Sequence, residues 1–160
     1  MNETRLAQEF RLQVEELDIE ELERRLGYTF KDKGRLLRAL TTSVISEHDN
    51  EEMEFRGDKI LGFLISEIIE QEAPGFKASD RSRVYSYVTS NEFLANEIAV
   101  PKGLDEFIII PPHLRKFDGD MGMKRLADCV EALICAVYDD GDIEATANFL
   151  LQNWKEPLAK

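Results

Sequence analysis

Glu51-Glu52-Met53-Glu54-Phe55-Arg56-Gly57-Asp58-Lys59-Ile60-Leu61 reads as the opening of a long helix. Asn50 stands where an N-cap belongs, and the glutamates of the first turn suit the positive end of the helix dipole. Pro74-Gly75 supplies the stop. A helix from about Asn50 to Glu72 is therefore expected, at the centre of the fold. Along it Glu51, Glu54 and Asp58 fall at i, i+3 and i+7, so all three project from one stripe. A solvated acidic face is the ordinary explanation of such a triplet. Gly57 argues for more, because glycine in a helix interior costs about 1 kcal/mol relative to alanine. Such a glycine marks the close approach of another backbone, a ligand or a metal.

A second acidic feature lies at Asp128 and Glu131, an i, i+3 pair inside Leu126-Ala127-Asp128-Cys129-Val130-Glu131-Ala132-Leu133-Ile134-Cys135-Ala136-Val137-Tyr138. That helix is apolar nearly all round, so it is expected to be buried, and unpartnered carboxylates there would be expensive. A structural salt bridge to Lys124 or Arg125 is one solution. A divalent cation shared with the stripe of the first helix is the other, and it accounts for both helices at once. Hard oxygen ligands without histidine or thiolate point to Mg²⁺ or Mn²⁺. His48 and His113 are the only histidines, too few for a zinc cluster. Cys129 and Cys135 sit six apart on one expected helix and read as buried thiols that do not pair. Such a site suits phosphodiester hydrolysis, where metal activates water and neutralises the leaving oxygen.

The chain of 160 residues is long enough for one domain with a single core. Its 43% apolar and 32% charged residues exclude disorder and a membrane protein alike. No run approaches the ~20 apolar residues of a membrane span, and the N-terminus lacks a signal-peptide pattern. An intracellular setting, the cytoplasm first, is expected, and two cysteines agree with a reducing compartment. The net charge of −12 argues against a nucleic-acid partner. The objection weakens if the acids surround bound cations, which reverse the local field where phosphate must dock. Around the two acidic helices, one or two short helices are expected over 3–26, ended by Gly27, and another from Asp32 through Leu40. A polar loop follows over 46–50. Ser79 or Asp80 and then Ser90 or Asn91 are expected to cap two further helices, ending near Val88 and Ala99. Residues 107–110 read as an apolar connector rather than a strand, and 111–122 as the one long loop. Lys124 to Tyr138, a turn at Asp139-Asp140-Gly141, and Asp142 to Trp154 complete an all-α arrangement.

The stretch from Glu51 to Leu61 closely resembles the signature of the ribonuclease III family, E-x-L-E-F-L-G-D-A-V-L. Similar matches occur at Leu26-Gly27-Tyr28-Thr29-Phe30, Leu40-Thr41, Ser90-Asn91 with Leu94-Ala95, Leu126-Ala127-Asp128, Glu131-Ala132-Leu133 and Ala136-Val137-Tyr138, in the family's order over roughly residues 20–150. The resemblance implies the single-domain, all-helical ribonuclease III endonuclease fold as a homodimer, with a core over about 20–155 and residues 1–19 as a helical extension. It implies a metal-dependent endoribonuclease that cuts double-stranded RNA to 5′-phosphate and 3′-hydroxyl ends. Glu54, Asp58, Asp128 and Glu131 resemble the four active-site acids, with Glu54, Asp128 and Glu131 closest to the metal and Asp58 holding water or the nucleophile's surroundings. Glu51 matches a further acid near the cleavage site, and Phe55 an apolar knob inserted into the partner subunit, with an ordinary core side chain as the other reading.

Arg56 and Lys59 stand where the family usually has Leu and Ala, Thr42 where His is common after Leu-Thr, and Tyr85 where Arg is common. The two cations are expected to neutralise the acids or to touch phosphate. No double-stranded-RNA-binding domain is expected in this chain, so RNA affinity would come from the dimer groove or a separate RNA-binding subunit. The competing function is an RNA-binding or scaffold protein that uses the same fold without catalysis.

Overall fold

Thr4, Asp18, Asp32, Ser90 and Asp142 each precede a helix, and each side-chain oxygen accepts a backbone N–H two or three residues on, at 2.8–3.1 Å. Each satisfies one of the donors a helix start leaves orphaned. The computed structural model describes residues 4–42, 45–46 and 48–158, with side chains through 155, so residue 47 of the expected polar loop lies outside the described residues. The helices are α1 (Arg5–Glu16), α2 (Ile19–Leu26), α3 (Lys33–Leu40), α4 (Glu51–Glu72), α5 (Ala78–Val88), α6 (Asn91–Phe93), α7 (Gly119–Asp140) and α8 (Ile143–Leu158). α6 runs on into a π-helical stretch (Leu94–Ala99), and short 3₁₀ turns cover Leu104–Glu106 and Pro112–Leu114. Among the described residues no strand occurs beyond one bridge, Thr41 to Ile109, so the fold is all-α. No helix among them is long and apolar enough to cross a membrane.

The centre is α7 rather than α4. From Leu126 to Val137 every residue of α7 but Asp128 is buried, and α3, α4, α6, the π-helical stretch and α8 all pack on it. α4 lies along α7 in the most extensive helix–helix contact of the molecule, with Met53, Gly57, Leu61, Leu64, Ile65 and Ile69 facing inward. Its opposite face is largely exposed in the first half of the helix and meets α5 in the second, so an amphipathic helix borders a core that the uniformly apolar helix occupies.

Several boundaries differ from the sequence expectation, each for a tertiary reason. α7 begins at Gly119, shortening the long loop, and Gly122 lets the Phe117 backbone approach so closely that an added Cβ would meet its carbonyl carbon at 2.2 Å. It also runs through Asp139 and Asp140 instead of turning there. Asp140 accepts from Tyr28 Oη (2.7 Å) and from the Lys31 and Asp32 amides (both 2.9 Å), tying the end of α7 to the α2–α3 connection. Asn50 occupies the N-cap position of α4 without capping it. Its Nδ2 donates to Ala39 O (3.0 Å), joining α3 to α4, while Asp49 Oδ1 accepts the Glu51 amide. α5 starts at Ala78, ahead of Ser79 and Asp80. Residues 107–110 form the expected apolar connector, fully buried beneath α1, whose Gln13 bonds both the amide and the carbonyl of Ile110.

Candidate metal centre

Gly57 fixes how close α4 comes to α7. A Cβ on it would lie 1.7 Å from the carbonyl oxygen of Glu131 and 2.5 Å from the carbonyl carbon. The close approach expected of this glycine is therefore to the backbone that carries the second acidic pair. With Gly57 against residue 131, the side chains of Glu54, one turn before it, and Asp58, next to it, stand beside Asp128 and Glu131 of α7.

Glu54, Asp128 and Glu131 each offer a carboxylate oxygen, and these oxygens lie within 4.8 Å of one another. Asp58 joins the group through a hydrogen bond with Glu131. Glu51 sits one turn before Glu54, exposed at the first turn of α4, and its charge still reaches Glu54. Glu131 is 6% exposed, and among the described residues it takes no salt bridge. Burial, then the hydrogen bond to Asp58 and the surrounding charges, push its carboxyl up to about 9. The bond from protonated Glu131, followed by Lys59, holds Asp58 below the ordinary carboxylate range. Burial and the neighbouring Asp128 raise Glu54 to about 7, against the pull of Lys124. The cluster therefore stores protons where its geometry crowds negative charge.

The salt bridge weighed for the α7 pair is present in part. Lys124 Nζ lies 2.8 Å from Asp128 Oδ2 and 3.8 Å from Glu54 Oε1, whereas Arg125 turns toward the carbonyls of Leu114 and Lys116. Neither leaves Glu131 paired. The donor set is hard oxygen only, from two helices, and its chemistry suits a divalent metal cation.

The unusual cations of α4 divide between two faces. Arg56 makes a bidentate ion pair with Asp139 (2.7 and 2.8 Å), so it neutralises an acid outside the cluster. Lys59 reaches Asp58 at 3.2 Å. Phe55 is 64% exposed and outside the core, with Lys59 Nζ 5.2 Å from its ring centroid. Thr42 bonds through its amide and hydroxyl to Ile109 O, and Tyr85 Oη fills the space above Gly62, where a Cβ would meet it at 2.6 Å. Both take structural places that the sequence left open.

The ribonuclease III domain model matches residues 51–142, more than half of the chain and both acidic helices. The chain belongs to the ribonuclease III family. Ribonuclease 3 of Idiomarina loihiensis is 36% identical over 137 residues, which cover 86% of this chain and 59% of that protein. Ribonuclease 3 of Vibrio campbellii is 38% identical over 140 residues, covering 88% and 62%, and that of Shewanella pealeana 38% over 143 residues, covering 89% and 63%. The chain thus spans about three fifths of the length of these relatives. Among solved structures, the nuclease domain of ribonuclease III from Campylobacter jejuni superposes with a TM-score of 0.80 at 26% identity, over 89% of this chain and all of that one. For that protein, structural flexibility is described in the region involved in dimer formation. A second structure of the Campylobacter domain gives a TM-score of 0.79. The ribonuclease III fold expected from the signature is the fold observed.

Proposed function

We propose that this chain is the catalytic domain of a metal-dependent endoribonuclease that hydrolyses phosphodiesters of double-stranded RNA to 5′-phosphate and 3′-hydroxyl ends. One observation carries the reading: three carboxylates from two helices, one of them buried and, among the described residues, without a salt bridge, present oxygens within 4.8 Å of one another. Glu54, Asp128 and Glu131 would hold the ion, Mg²⁺ or Mn²⁺, and Asp58 would hold water or the nucleophile's surroundings beside it. When bound, a divalent ion supplies an activated water and neutralises charge at the leaving oxygen. The protein's own part is to place four acids by means of Gly57 and to keep Glu131 away from bulk water. Asp58, held ionised beside Glu131, is the member suited to orient water through its carboxylate oxygens.

Glu51 is proposed as an auxiliary acid at the RNA-facing edge, and Phe55 as an anchor between two copies of the chain, since its ring is exposed on α4. A homodimer would set two such sites against the two strands of a duplex. Given the net charge of −12, a separate RNA-binding subunit or segment is proposed to supply affinity. An intracellular setting belongs to the same proposal, with Cys129 and Cys135 both free and buried. The single catalytic domain would span 1–160, with α1 as its helical extension.

The test is cleavage of a long RNA duplex with Mg²⁺ or Mn²⁺ and with chelator. Cutting that needs the ion, leaves 5′-phosphate ends, and disappears in Glu131→Gln is the expected result. An intact duplex under either ion, at low salt and high protein concentration, would contradict the reading.

A further inference from the structure

The lysine and the metal ion, taken so far as alternative partners of the α7 acids, aim at the same oxygens. Lys124 Nζ lies 2.8 Å from Asp128 Oδ2 and 3.8 Å from Glu54 Oε1, so one ammonium engages two of the three carboxylates that form the candidate ion site. It reaches them from i to i+4 on α7, and its side chain is 60% exposed, which places the ammonium at the mouth of the cluster. Lys59 differs, because it meets only Asp58, outside the trio. A divalent ion entering among Glu54, Asp128 and Glu131 approaches a positive charge already seated on two of its ligands.

Resting on the metal-centre reading above, we infer that Lys124 is a tethered counter-ion that competes with the divalent cation for Glu54 and Asp128. It screens the crowded carboxylates from one another while the ion is away. It gives up their oxygens when the ion arrives, turning its exposed ammonium toward solvent. The inference separates two effects that a merely structural salt bridge would not. Removing the charge weakens the ion-free protein and strengthens its hold on the ion. Two charges beside a third at a separation of about 5 Å, in a largely solvated setting, repel enough to alter affinity on the order of tenfold.

The experiment is a Mn²⁺ titration of the full chain, followed by free-ion electron paramagnetic resonance and by melting temperature, for wild type, Lys124→Met, Lys124→Gln and Lys124→Arg. Met keeps the apolar stem without the charge, Gln gives a second neutral side chain, and Arg restores a cation. The expected result is Mn²⁺ binding roughly tenfold tighter in the two neutral variants, a lower melting temperature than wild type without ion, and a larger rise on adding it. Lys124→Arg should stay close to wild type. Equal or weaker Mn²⁺ binding in both neutral variants, with helical circular dichroism intact, overturns the inference while the metal centre stands. If wild type takes up no Mn²⁺ that Glu131→Gln abolishes, the metal-centre reading itself fails, and the inference with it.

Discussion

Gly57 and Glu131 meet backbone to side-chain position across the seam between α4 and α7, and the geometry leaves no room for a methyl group. Gly57→Ala would gain about 1 kcal/mol of helix propensity. It would also have to displace a carbonyl oxygen lying 1.7 Å from the new Cβ. The partner atom is backbone of the central helix, so the steric effect wins. The expected outcome is a net loss of about 3 kcal/mol in urea unfolding, together with weakened Mn²⁺ binding. Unaltered stability would contradict the seam. Glu131 gives a second prediction at this scale. Its carboxyl sits near 9 in the fold and near the ordinary carboxylate value when unfolded, so the folded state binds the extra proton between. The stability it contributes is present at about pH 5 and is lost as pH rises toward 9. Glu54, raised to about 7, acts in the same direction. Asp58 and Asp139, both lowered, act only at acid pH, where their contribution falls away as they protonate. In chelator, the melting temperature should therefore fall from pH 5.5 to pH 8.5, and Glu131→Gln should flatten most of that slope. An equal slope in the variant would refute the assignment of the proton to Glu131.

At the scale of elements, α1 is held differently from the rest. None of its residues is buried, and Gln13 clasps Ile110 through both amide and carbonyl, at 3.0 and 2.6 Å, with Arg115 bonding the same Gln13 oxygen. Gln13→Ala should speed hydrogen exchange in α1 by about tenfold, the equivalent of ~1.4 kcal/mol, and leave α4 and α7 protected. Uniform loss of protection would show instead that α1 belongs to the cooperative core. How far the elements were legible in the sequence follows the same division between local and distant causes. Capping oxygens at Asp32, Ser90 and Asp142 act within three residues, so those starts could be read directly, whereas the start capped by Asp18 was not singled out within 3–26. The end of α7 could not, because Asp140 is held by Tyr28 and the residue 31–32 amides, about 110 positions away in the chain. Asn50 looked like a cap and instead spans to Ala39. Arg56, expected to neutralise the acidic stripe or touch phosphate, found its acid instead at Asp139, 83 residues on. The π-helical stretch from Leu94 to Ala99 carries no local signal that distinguishes it from an α-turn. For the candidate site, the i, i+3 and i+7 spacing and the odd glycine were visible beforehand. What needed coordinates was that Lys124 shares oxygens with the ion site, since spacing along α7 gives the pair but not the proximity of Glu54.

For the molecule as a whole, an open face of α4 beside a buried α7 raises the question of a second copy. Phe55, 64% exposed, stands on that face. If it anchors a dimer, Phe55→Ala should shift sedimentation toward the monomer with a loss of affinity on the order of tenfold or more, while circular dichroism stays unchanged. A wild-type chain that sediments as a monomer at every concentration would rule the anchor out. The acidity of the chain also becomes coherent at this scale. Part of the −12 is gathered where two helices crowd four carboxylates, and the protein offsets it with Lys59, Lys124 and bound protons. The central claim is that this crowding exists to hold a divalent ion. Crystals of the chain soaked in Mn²⁺ and measured at a wavelength with anomalous manganese signal test it most directly. The account predicts a peak bounded by the carboxylates of Glu54, Asp128 and Glu131, absent in Glu131→Gln crystals. A map with no peak there, or with manganese only on exposed acids elsewhere, would contradict it.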